Sequence, residues 1–183
     1  VFLFSDNVPL EEEISLKKMA AEWGLLVMGP DCGTAIIRGA GLGFANRVRR
    51  GEIGIVGASG TGIQAISTQI HRLGQGISHA LGTGSRDLSG EVGGSSMLAG
   101  IDLLLKDPDT RVIVLVAKPS HPQVADRILR HAAEGEKPFV IHFLGISATV
   151  KTRGKCHFVE TLEEAAQTAV MLTDGRKMES SPG

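Results

Sequence analysis

Tyrosine is missing from this chain, and all aromatic residues together make up 4% of it. RNA-reading surfaces stack bases on aromatic side chains set among basic ones. That shortage, with a formal net charge of −1, excludes nucleic acid as a partner. Cysteine is scarce too, with Cys32 and Cys156 far apart. They form no disulfide framework, and their spacing matches no metal site, so a reducing cytoplasm is the simplest compartment. The six histidines (His71, His79, His121, His131, His142, His157) show neither HxxxH nor HExxH spacing, and no metal is expected. No apolar run reaches the roughly 20 residues of a spanning helix and no signal peptide is evident, so no membrane is expected either.

Glycine is abundant, at 24 of 183 residues, on a 42% apolar background. That composition suits an α/β protein whose strands end in tight loops, and it argues against disorder. The chain starts inside a buried-strand pattern, VFLFSD, and ends in the polar run DGRKMESSPG. It reads as a fragment, with residues 176–183 a linker to a further domain.

Val1 to Ser5 reads as a strand. A helix follows, with Leu10, Ile14 and Met19 on one face, acids in its first turn and Gly24 as its stop. LLVMGPDCGTAII is a second strand running into a Gly-Pro turn. A short extended piece and a basic connection then lead to a domain boundary near Val48. Beyond it the alternation is regular. The strands are IGIVGAS, ISHALGTG, RVIVLVAKP, KPFVIHFLG and a short CHFVE. Between them lie helices whose core faces are Ile63, Ile66, Ile70 and Leu73, then Met97, Leu98, Ile101, Leu104 and Leu105, then HPQVADRILRHAAEG. A closing helix begins with a capping box at Thr161 and Glu164. Strands alternating with helices of this length predict an α/β fold, a parallel sheet covered on both faces.

Ligands of such sheets collect at the carboxyl ends of the strands, and four of those ends can carry chemistry. At Ala58, Ser59, Gly60, Thr61 and Gly62, a helix start offers unpaired N–H groups and two hydroxyls to an anion. No lysine follows the glycines, so this is no Walker loop. A turn that merely packs strand against helix fits the same pattern. The loop GTGSRDLSGEVGG carries Arg86, a fork for phosphate or carboxylate, or else half of an Arg86–Asp87 brace. Lys118 ends the run VIVLVA, where it can meet an anion or snorkel to solvent. In GPDCGT, Cys32 reads as a small buried residue rather than a nucleophile, because no histidine is near it in sequence.

Taken in order, GLLVMGPDCGT, GEIGIVGASGTGIQ and LLLKDPDTRVIVLVAKP resemble the succinyl-CoA synthetase α-subunit across about Val1 to Thr173. Within that superfamily, FSDNVPLEEEISLK, GLLVMGPDCGT, GSRDLSGEVGG and AKP are similar to FdrA-type proteins. The resemblance implies the C-terminal half of a Rossmann-like CoA-binding domain over residues 1–47. A flavodoxin-like parallel-sheet domain of succinyl-CoA ligase type would follow over 48–175. It also implies that Ser59, Gly60 and Thr61 cap a helix aimed at a migrating phosphate. Gly29, Pro30, Asp31 and Cys32 would lie near CoA, although Asp31 replaces an asparagine and its carboxylate would repel an anionic ligand. Two departures matter. No GHAG loop for a phosphohistidine is present, and Lys118 stands where the family has the glutamate that steadies that histidine. The implied function is an enzyme subunit handling phosphate or an acyl or carbamoyl phosphate. It would serve carbamoyl transfer between oxamate and carbamoyl phosphate in allantoin and purine breakdown, with Lys118 as a catalytic cation. The partners implied are a small anionic substrate and companion subunits or further copies of the chain. An acyl-CoA ligase using CoA and nucleotide, and a non-catalytic assembly subunit, are the alternatives.

Overall fold

The computed structural model describes residues 1–145 and 151–175. At its start Phe2 bridges Met28 in parallel, with Leu3 N–H donating to Met28 O at 2.9 Å and Met28 N–H to Val1 O at 2.8 Å. The two expected strands are therefore one short bridge. Between them runs α1 (Leu10–Glu22), with Glu11, Glu12 and Glu13 in its first turn and Gly24 beyond its end at φ +65°.

The expected apolar face of α1 does not face inward. Ile14 and Met19 are 37% and 55% exposed, whereas Glu13, Lys17 and Ala20 are buried. Charge explains the reversal, because Lys17 lies 2.8 Å from the buried carboxylate of Asp87 and 2.9 Å from that of Glu13. Buried charges that find partners can override hydrophobic periodicity.

Next come the hairpin strands β1 (Thr34–Ile37) and β2 (Ala40–Gly43), then β3 (Arg50–Gly57), α2 (Gly60–Arg72), β4 (Ile77–Gly82) and α3 (Ser95–Lys106). They are followed by β5 (Val112–Ala117), α4 (Pro122–Glu134), β6 (Phe139–Phe143), β7 (Thr152–Arg153), β8 (Cys156–Phe158) and α5 (Leu162–Thr173). Among the described residues these strands form one sheet in the order β2-β1-β4-β3-β5-β6-β8-β7. The five strands β4-β3-β5-β6-β8 are parallel and carry the flavodoxin-like order. The hairpin preceding Val48 joins this same sheet, with β1 antiparallel to β4.

Strand alternation builds a core on each face. Ile113, Leu115, Phe139 and Ile141 point to the side of α3 and α4, while Val112, Val114, Val140 and Ile55 point to that of α2 and α5. Ile63, Ile66 and Ile70 are fully buried there as expected, but Leu73 falls just past the last turn and is 46% exposed. The capping box of α5 is present, with Glu164 N–H donating to Thr161 Oγ1 at 3.0 Å and Glu164 Oε2 accepting from Thr161 N–H at 3.3 Å.

The KDPDT turn closes the far end of the sheet. There Thr110 donates to Asp107 at 2.5 Å, and Lys137 donates to the carbonyls of Leu104 and Asp107 that end α3. None of the described helices is long and apolar enough to cross a membrane.

Candidate functional site

The carboxyl ends of β3 and β4 lie side by side, Gly57 opposite Gly82. Beyond Gly57 the chain turns at once into α2. Ser59 is its extended N-cap, and the Ser59 hydroxyl accepts from Gly62 N–H at 3.1 Å. Gly60 and Thr61 are the first helical residues, so their N–H groups have no acceptor within the helix. The first turn of α2 holds no acidic residue that would neutralise its end of the helix dipole. Thr61 is exposed and places a hydroxyl at the same end, 3.5 Å from that of Ser59.

The facing wall comes from the segment entering β1. Because β1 runs antiparallel to β4, its first residues lie beside the carboxyl end of β4. A cis Gly29–Pro30 bond and Asp31 at φ +59° carry the chain there. Two glycines make the approach possible. A side chain at Gly82 would meet Cys32 Sγ at 2.5 Å, and Gly84, at φ +88°, lies against Pro30 O.

The cavity between these walls is about 260 Å³. It is lined by Ala58, Gly60, Thr61 and Gln64 of the α2 side, by Asp31, Cys32 and Thr34 opposite, and by Phe44 at the edge. Thr34 is 2% exposed. Gln64 Nε2 donates to Thr34 Oγ1 at 3.3 Å and to Phe44 O at 2.8 Å. Burial pushes the Cys32 thiol pKa up, and its proton is directed at Thr34 O, 3.6 Å away. A neutral thiol is a poor nucleophile, in keeping with the packing role read from the sequence.

The two candidate cations are elsewhere. Arg86 is bound to Glu13 at 2.9 Å and to Val8 O at 2.6 Å. Its partner is on α1 and is not Asp87. Asp87 instead pairs with Lys17 and accepts from the N–H groups of Ser96 and Met97 at 3.0 and 2.9 Å, capping α3 from a distance. Lys118 is exposed just past β5 and does not line the cavity. The lining therefore holds one carboxylate, Asp31, and no lysine or arginine.

Thus Ala58, Gly60, Thr61, Asp31 and Cys32 share one cavity, Ser59 and Gly62 build its helix cap, and Gly29 and Pro30 shape the turn behind it. Sequence reasoning missed Gln64 and Phe44, and it reached Thr34 only as the last residue of the GPDCGT stretch. Gln64 carried a signal, since it lies one helical turn from Gly60 on the same face. Phe44 carried none, because only the antiparallel pairing of β1 with β4 brings that edge of the hairpin there.

Residues 48–145 match the CoA binding domain family, and the chain belongs to it. The matched span lies in the segment read from sequence as the flavodoxin-like domain, not in residues 1–47. The chain is 52% identical over 180 residues to the protein YahF of Escherichia coli, covering 98% of this chain and 35% of YahF. It is 28% identical over 155 residues to a mitochondrial succinate–CoA ligase subunit alpha-2 of Trichomonas vaginalis, covering 81% of this chain and 49% of that subunit. Among solved structures, ATP citrate lyase of Methanosaeta concilii superposes with a TM-score of 0.72 at 16% identity, covering 100% of this chain and 36% of that one. The fold is thus of the succinyl-CoA ligase α type, and the chain spans half or less of the length of these relatives.

The cavity does not fit CoA as a whole. Its volume is below the roughly 300–1,000 Å³ of sites that enclose drug-sized ligands. It also offers no cation to the nucleotide phosphates, and it presents the Asp31 carboxylate. A small oxyanion with a short acyl group matches its size and its donors.

Proposed function

We propose that this member of the CoA-binding domain family binds a small phosphate- or carboxylate-bearing ligand at the start of α2. In this reading it is the FdrA-type subunit of a complex that transfers a carbamoyl group between oxamate and carbamoyl phosphate in the cytoplasm. The observation that carries the reading is the cavity in which the free N–H groups of Gly60 and Thr61 meet the Thr61 hydroxyl. Fixed dipoles aimed at a leaving phosphate stabilise the charge it develops, with no reorganisation needed at the moment of reaction. The absence of a GHAG sequence and the Lys118 substitution support transfer without a phosphohistidine. Lys118 itself sits outside the cavity, so its contribution is long-range attraction, screened by salt.

Companion chains or copies are part of this proposal. Met19 on α1 and Trp23 just past its end are 55% and 76% exposed, apolar surface that a companion chain or copy would cover.

The test is calorimetric titration with acetyl phosphate and inorganic phosphate. Thr61→Glu places a carboxylate at the cradle, while an acid in a first helical turn suits the dipole. The variant should keep its stability and bind at least about 10-fold more weakly, the loss of a charge-assisted contact of ~1.5 kcal/mol or more. Equal binding by both proteins would remove the start of α2 from the function. Lys118→Ala should change affinity by no more than about twofold.

The family match also favours an acyl-CoA ligase subunit as a second reading. That reading expects CoA to bind and acid-labile phosphate to appear on the chain when the assembled complex is given labelled ATP. Absence of both supports the first reading.

A further inference from the structure

Residues 1–32 are tied together and meet the rest of the chain across a narrow seam. Asp31 N–H donates to Ser5 O at 2.8 Å and Cys32 N–H donates to Leu3 O at 3.2 Å. The turn ending at Cys32 therefore goes wherever the residues leading into α1 go. Across the seam lie Gly82 and the loop after β4, with Gly84 against Pro30 O and Gly82 against Cys32 Sγ. Being glycines, they add no side chain to the packing there.

Charge holds the seam shut. Lys17 Nζ reaches across it to Asp87 Oδ1 at 2.8 Å and to Thr83 O at 3.3 Å, and along α1 to Glu13 at 2.9 Å. Arg86 reaches the other way, to Glu13 Oε2 at 2.9 Å and to Val8 O at 2.6 Å. Two acids and two bases cancel, with Glu13, Lys17 and Asp87 all buried. Among the described residues no side chain of α1 belongs to either core, and Ile14, Leu16 and Met19 are exposed. What else joins the two sides is modest. The Ser96 hydroxyl donates to Val27 O at 2.7 Å, and Leu26 and Met28 supply apolar contact.

A buried ion network contributes little net stability while intact, yet the loss of one partner is costly. A segment held in this way gives up little apolar burial when it lifts. Such segments open locally, at lower free energy than global unfolding. We infer that Glu13, Lys17, Arg86 and Asp87 form a clasp on the cavity. Closed, it holds the wall of Asp31 and Cys32 on that of Gly82, Gly84 and Ser85. Open, residues 1–32 lift from the loop after β4 as a unit, and the Cys32 thiol meets solvent while the parallel sheet stays folded. The device belongs to the cavity wall and does not depend on what the cavity binds.

Cys32 is 2% exposed, so its alkylation reports the opening. The experiment follows iodoacetamide labelling of Cys32 in the full polypeptide by peptide mass spectrometry, at fixed pH and rising urea. When closing outpaces labelling, the rate tracks the population of the open form. In the wild type the logarithm of that rate should climb with less than about half the slope of the global urea transition, because a local opening exposes less surface. Without urea, Lys17→Met should raise the rate at least about 10-fold. Thr161→Ala, which weakens α5 far from the seam, should leave it within about twofold although it lowers global stability. A wild-type slope equal to the global one overturns the clasp, as does a Cys32 rate that Thr161→Ala raises about fivefold. So does an unchanged rate in a folded Lys17→Met. Where Lys17→Met does not fold, Arg86→Gln decides, with a rise of about threefold expected and no rise overturning the clasp.

Discussion

At the scale of single residues, the folded state depends on a buried ionic cluster that looks like surface chemistry in the sequence. Glu13, Lys17 and Asp87 are 0%, 5% and 0% exposed, and Arg86 completes the set at 2.9 Å from Glu13. Removing one partner of a buried pair leaves an uncompensated charge, which costs more than the pair contributes. Lys17→Met should therefore destabilise the chain by about 3–5 kcal/mol in urea unfolding. Pairing Lys17→Met with Asp87→Asn should recover part of that loss. None of this was legible beforehand. Acids and lysines at i and i+4 in a first helical turn normally face water, and the loop residues that bury them come some seventy positions later. The Arg86–Asp87 brace expected from adjacency failed for the same reason.

Histidines act at this scale too. Burial pushes the pKa of His157 below its ordinary value near 6.5, and its Nδ1 is buried without a partner. Burial lowers His79 as well, against the opposing pull of Asp107 at 3.7 Å. With a depressed pKa the folded chain takes up these protons later than the unfolded chain does. The stability they help to maintain is full above about pH 6.5 and is lost as pH falls toward the folded values. Urea midpoints should drop between about pH 7 and pH 5, and His157→Phe should flatten part of that slope. A profile unchanged in the variant would show that His157 does not titrate with folding.

At the scale of elements, periodicity was a good guide wherever a helix packs on the parallel sheet. Ile63, Ile66 and Ile70 on α2, and Met97, Ile101 and Leu104 on α3, are buried as their spacing requires. The Thr161–Glu164 box was readable because both hydrogen bonds are local to four residues. Thr161→Ala should cost about 1 kcal/mol, read as a lowered melting temperature. The KDPDT turn was read only as a family signature. The structure gives it a local role at the end of the sheet away from the cavity, where Thr110 and Lys137 tie down the end of α3. At α1 the pattern misled, since an amphipathic face says nothing about which side a buried charge will claim.

At the scale of the whole molecule, the parallel order β4-β3-β5-β6-β8 sets Gly57 and Gly82 together, and the added β1 strand closes a cavity over them. The α2 half of that cavity was visible in GASGTG. Of its facing wall, GPDCGT was singled out as a candidate, but its place opposite α2 was not legible, because the antiparallel pairing of β1 with β4 is a long-range event that no local pattern announces. The same topology leaves Lys118 exposed one strand away, just past the end of β5. The most direct check on the central claim is the amide spectrum of the labelled chain during titration with acetyl phosphate. Saturable shifts of the Gly60 and Thr61 N–H resonances, with the Gly60 midpoint moved at least about 10-fold to higher ligand concentration in Thr61→Glu, are the predicted result. Unmoved amides at Gly60 and Thr61 under saturating ligand, or shifts confined to the neighbourhood of Lys118, would contradict it.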